Sequence, residues 1–252
     1  RLDSAIMMRT SNPTLNDRVF AQAPATASGE TMTINGAVNK TFFITILLVL
    51  SAGSCWNLAE SNPALMSPIM WASIILGLIT VLASSFKPVW APVLAPIYGV
   101  VEGGFVGVIS YMYNSAFQGI VLQAALITVG ILFALLFAYR SGLIKATENF
   151  KLGIVAATGG IFLVYLATMV LGFFGVAIPY IHGSGMIGIG FSLFVVVIAS
   201  LNLVLDFDFI ENGAANGAPK YMEWQAALGL LVTLVWLYVE ILRLLAKLNS
   251  RD

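Results

Sequence analysis

Charge is scarce in this chain: 12 Lys and Arg against 12 Asp and Glu in 252 residues, or 10% of the whole. A soluble domain carries about a quarter charged residues, so a globule dispersed in water is excluded. The charges also cancel, which removes the basic footprint of a nucleic-acid binder. Histidine occurs once, at His182, and a metal site built on it is not expected. Cysteine also occurs once, at Cys55, which rules out an internal disulfide. Gly188-Ile-Gly-Phe-Ser192 lacks the lysine of a phosphate loop, and no Ser/His/Asp arrangement occurs. Asp206-Phe-Asp208 fits the Asp-x-Asp pattern of some metal-binding transferases, but no soluble catalytic domain accompanies it. Neither an enzyme nor a resident cofactor is expected.

Apolar residues make up 59% of the chain and fall into long runs. About 20 apolar residues at 1.5 Å rise cross the hydrocarbon core of a bilayer. Hydropathy predicts seven such helices, over 41–58, 66–86, 94–113, 118–139, 152–174, 186–210 and 224–246. The breaks fall at Asn62-Pro63, Ser67-Pro68, the Pro88/Pro92/Pro96 series, Ser141-Gly142 and 213–219. The fold class is therefore an all-α integral membrane protein, a seven-transmembrane-helix bundle in the lipid bilayer. Residues 1–40 read as a flexible polar arm ahead of a membrane domain over 41–248, and no cleavable signal peptide is expected.

Lys40, Lys87, Arg140, Lys145, Lys151 and Lys220 all fall on one side of this arrangement, together with the arginines of the arm. The loops on the other side, near 59–65, 114–117 and 175–185, hold no Lys or Arg. That asymmetry puts the N-terminus in the cytoplasm. Arg243, Lys247 and Arg251 near the end then violate the rule, unless the last span is re-entrant. Gly99, Gly103 and Gly107 repeat every fourth residue on span three, and Gly130, Ala134 and Ala138 do so on span four. Both series predict close helix–helix packing.

Four acidic residues fall inside spans: Glu102, Asp206, Asp208 and Glu240. An ionised carboxylate there costs at least about 2.5 kcal/mol, so each is a candidate ion- or proton-sensing group. Asp206 has Asn202 one turn before it on the same face, whereas Asp208 points about 200° away. Asp206 is thus the better buried candidate, and Asp208 is expected to reach water or Lys220. Glu240 lies three residues before Arg243, which suits an intrahelical ion pair. Lys87 is expected at the headgroups, with a carboxylate on the same side as a possible partner.

At Leu205-Asp206-Phe-Asp-Phe-Ile210 the chain resembles the transmembrane Bax inhibitor motif family. The similarity extends over about 35–248, through Asn35-Gly-Ala-Val-Asn-Lys-Thr, Ala95-Pro-Ile-Tyr-Gly-Val-Val-Glu-Gly, Ile154-Val-Ala-Ala-Thr-Gly-Gly and Ala218-Pro-Lys-Tyr-Met-Glu-Trp. It looks like the bacterial Bax inhibitor/YccA-like branch, which implies a bacterial inner membrane. The resemblance implies a pH-sensitive calcium leak. In that scheme Asp206 faces a second carboxylate on span seven, and their shared proton governs opening. Matching Leu237-Tyr-Val-Glu240 puts Glu240 in the second place, while matching Ile241-Leu-Arg-Leu-Leu puts Thr233 there. If it is Thr233, Lys87, Glu102 or Glu223 remains as a partner for Asp206. Calcium or protons are the expected small partners, with Asp206 as an oxygen ligand to calcium.

The competing reading is a non-conducting regulator that binds other membrane proteins, such as a quality-control protease, through the N-terminal arm. An intramembrane aspartyl protease needs two facing aspartates on different spans. No second intramembrane aspartate exists outside span six, so the sequence argues against it.

Overall fold

The computed structural model describes residues 30–175, 183 and 185–250; His182, Tyr180 and the first 29 residues of the arm lie outside that range. Among the described residues, seven helices are long and apolar enough to cross a membrane. They are α1 (Ile34–Ser61), α2 (Met66–Phe86), α3 (Ala91–Ala116), α4 (Ile120–Arg140), α5 (Glu148–Phe173), α6 (Met186–Ala215) and α7 (Met222–Asn249). Each overlaps a predicted span. The last is a continuous helix of 28 residues, about 42 Å long, which has the length to cross rather than turn back.

The local chemistry explains where the helices start. Thr33 has extended backbone, and its Oγ1 accepts the Gly36 N–H at 2.9 Å, capping α1. This moves the start of the first helix from the expected 41 back to Ile34. Thr147 caps α5 by accepting the Phe150 N–H at 3.3 Å, with Glu148 in the favourable first turn. A single 3₁₀ turn, Pro88–Trp90, leads into α3, whose Pro92 sits where the missing N–H costs nothing. Gly119, at φ 83°, makes the left-handed turn between α3 and α4, a conformation that disfavours a Cβ.

Packing divides the helices into two groups of three. In the first, α3 contacts both α1 and α2; in the second, α6 contacts both α4 and α5. Helix α7 lies between them, packed against α1, α3, α4 and α6. It reaches the remaining two through side chains, accepting the Ser84 hydroxyl of α2 on Gln225 and the Tyr165 hydroxyl of α5 on Glu240. The outer faces carry exposed apolar groups such as Phe42, Ile75, Leu126 and Phe162. In water so much exposed apolar surface would aggregate, and in a bilayer it is solvated by lipid tails.

The glycine series of α3 lies directly on α1. A Cβ at Gly99 would stand 2.8 Å from the Ile44 carbonyl oxygen, and one at Gly103 would stand 2.6 Å from that of Leu48. At Gly107 it would collide with the Ala52 carbonyl. Backbone meets backbone along this seam, as the four-residue spacing predicts. The series on α4 behaves differently: a Cβ at Gly130 meets nothing within 4 Å. No close helix crossing depends on that glycine.

Candidate functional site

Asp206 sits on the most enclosed stretch of α6, and its side chain is fully buried. Leu203, Phe207, Phe209 and Ile210 bury the neighbouring positions. One turn earlier, the Asn202 amide donates to Thr158 Oγ1 on α5 at 2.9 Å and to the Ile198 carbonyl at 2.9 Å. Asn202 is thus directed at α5.

Asp208 points elsewhere, as its position two residues past Asp206 requires. Lys151 Nζ lies 2.8 Å from its carboxylate and 3.4 Å from that of Glu148. The Tyr139 hydroxyl donates to Glu211 at 2.6 Å and lies 3.4 Å from Asp208. The expected contact with Lys220 is thus corrected. Lys220 is engaged elsewhere, its Nζ lying 3.3 Å from Glu223 and 3.7 Å from Glu30.

Glu240 is buried on α7 and accepts the Tyr165 hydroxyl at 3.0 Å. Arg243 NH1 donates to Glu240 at 2.9 Å and to the Tyr165 oxygen at 2.7 Å, joining the three groups. The expected intrahelical pair is present. The expected pairing of Glu240 with Asp206 is not. Tyr165 fixes the level of Glu240, and Thr158 fixes that of Asn202. Those two α5 residues are seven apart, about 10 Å along the helix, and Asp206 lies another turn away. The two carboxylates thus stand about 15 Å apart in depth. A second register marker agrees: Lys247, two turns past Glu240, donates to the Gly188 carbonyl at 3.0 Å and Ser192 Oγ at 2.8 Å, near the far end of α6. Thr233 is buried and donates to the Gly229 carbonyl at 3.3 Å, so it supplies no second carboxylate.

Glu102 is half-buried on α3, and its carboxylate lies over Gly77 of α2, where a Cβ would stand 2.7 Å from Oε2. The buried face of α2 comprises Ser73, Gly77, Thr80, Val81 and Ser84, and Gly77 is the member that meets Glu102. Lys87 is directed over the Trp90 ring, 4.6 Å from its centroid, rather than toward a carboxylate. Among the described residues no group of three or more Asp, Glu, His or Cys side chains is placed to hold a metal ion. Asp206 is therefore not part of such a cluster.

The profile of the Bax inhibitor 1 like proteins matches residues 12–250. The chain belongs to that Bax inhibitor 1 like family. No curated protein matches it.

In this Bax inhibitor 1 like chain one further acidic group is fully enclosed, and the sequence reading named it only as an alternative partner for Asp206. Glu223, in the first turn of α7, has no exposed side-chain surface. It accepts the Thr33 N–H at 2.9 Å, the Thr33 hydroxyl at 2.9 Å and the Lys40 ammonium, with Lys220 Nζ at 3.3 Å. Gly36 and Lys40 fall in 35–41 and Glu223 in 218–224, two stretches that carry the family resemblance, while Thr33 lies just outside. That was the available signal, but nothing in either stretch says that the two meet.

Proposed function

We propose that this protein is a pH-sensitive cation leak of the membrane, with calcium as the transported ion and protons as its regulator. Asp206 carries the reading: a fully buried carboxylate on the helix that packs directly against the central α7. A carboxylate enclosed in low dielectric is costly to ionise, so in this reading gain or loss of its proton is the event coupled to the packing of α6 against α7. Carboxylate oxygen is also a suitable transient ligand for a hard cation. The scheme differs from a paired-carboxylate sensor, because Glu240 lies at another depth. Asp206 acts without it, and Glu240 belongs to a separate network with Tyr165 and Arg243. The end bearing Lys40, Lys151 and Lys220 faces the cytoplasm, and a bacterial inner membrane is the expected location.

The test is calcium flux into liposomes holding the purified protein, measured from about pH 6 to 8 with Asp206→Asn alongside. Flux that varies with pH in the parent and loses that variation in the variant is the expected result. Folded protein with no flux above empty liposomes at any pH overturns the leak. It leaves a non-conducting regulator of another membrane protein, such as a protease.

A further inference from the structure

Thr33, Gly36 and Lys40 occupy one face of the first two turns of α1, and all three meet Glu223. Thr33 supplies two donors and Lys40 an ammonium. Gly36 supplies space, since a Cβ there would collide with the Glu223 carboxylate. The approach is completed by a short antiparallel contact. Thr31 bridges Pro219, the Met32 N–H donates to the Ala218 carbonyl at 2.6 Å, and the Lys220 N–H donates to the Glu30 carbonyl at 3.0 Å. The charges facing Glu223 are Lys40 and Lys220, with Glu30 a further 3.7 Å from Lys220 Nζ. Lys40 also stands over the Trp224 ring, 5.4 Å from its centroid.

We propose that Glu223 is the bolt of a releasable latch, which holds the chain leading into α1 against the start of α7 and restrains α7 when closed. One carboxylate gathers donors from the α1 cap, the second turn of α1 and the turn before α7. Removing it unties all three together. The segment it holds is short and lies at one end of the bundle, whereas the α6–α7 packing around Asp206 is built from other residues. Residues 1–29 lead directly into the latched segment, and α7 touches every other helix. A partner that engages the arm therefore has a mechanical route to the whole bundle. The restraint on α7 rests on the leak reading; the latch itself does not.

The experiment is hydrogen exchange on the full chain in lipid nanodiscs, comparing the parent with Glu223→Gln and Gly36→Ala. The first variant removes the charge at nearly constant size. The second keeps Glu223 and fills its slot, while introducing a better helix former than glycine. If Glu223→Gln fails to fold, Gly36→Ala decides alone. In both, amides 31–40 are expected to exchange about tenfold faster or more, with 195–213 of α6 keeping parental protection. Unchanged exchange at 31–40, or exchange rising throughout α6 and α7, overturns the latch. Calcium flux of the same variants tests the restraint: faster flux than the parent at equal pH supports it, and parental flux with a released segment overturns it. A parent silent in flux sinks the leak reading and the restraint with it, while the exchange result still decides the latch.

Discussion

Glu240 holds its carboxylate within 3.1 Å of both the Tyr165 hydroxyl and Arg243 NH1, and neither donor alone makes the site. Arg243→Met leaves a buried carboxylate without its cation and is expected to cost about 1.5–3 kcal/mol. Tyr165→Phe removes a neutral donor and is expected to cost about 1 kcal/mol. The pair Arg243→Met with Glu240→Gln is expected to be milder than Arg243→Met alone, because no uncompensated charge stays buried. Unfolding in detergent measures all three, and a double variant worse than the single one would contradict the assignment. Glu240 and Asp206 show where sequence reading stops. Each is marked by the cost of an acid among apolar residues, which is a local property. Their separation in depth depends on how α5, α6 and α7 are staggered, and no residue in the sequence records that stagger. From the sequence, Glu223 is only an alternative partner for Asp206. Its donors on Thr33 lie 190 residues away in the chain.

Among the helices, the α1–α3 crossing depends most on a single residue type. Gly103→Val drives a branched side chain into the Leu48 carbonyl, where a Cβ alone already stands at 2.6 Å. It is expected to destabilise the bundle by about 1–3 kcal/mol. Gly130→Val on α4, where a Cβ meets nothing within 4 Å, is expected to change stability little. Thermal unfolding of the two variants side by side checks the contrast, and equal losses would refute it. The spans themselves were legible because apolar length is written into each run separately. The α3 glycine ridge was legible because its spacing matches the helix repeat. The α4 series has the same spacing, yet a Cβ at Gly130 meets nothing within 4 Å, since which face meets which helix is a property of the assembled bundle.

For the whole molecule, seven crossings put the 141–147 turn and the 59–65 turn on opposite sides of the membrane. In a Cys55→Ser background, Lys145→Cys is expected to react with an impermeant thiol reagent only from the cytoplasmic side. Asn62→Cys is expected to react only from outside. The reverse pattern would invert the orientation. The central position of α7 also bears on how the molecule is made. Synthesis proceeds at about 5–20 residues per second, and α7 leaves the ribosome after the six helices it joins. Until then Ser84 and Tyr165 lack Gln225 and Glu240, and Thr33 and Lys40 lack Glu223. The early helices must wait with these polar groups facing lipid, each other or an assembly factor. A chain stalled before residue 222 would present that unfinished interior to the cell's surveillance machinery.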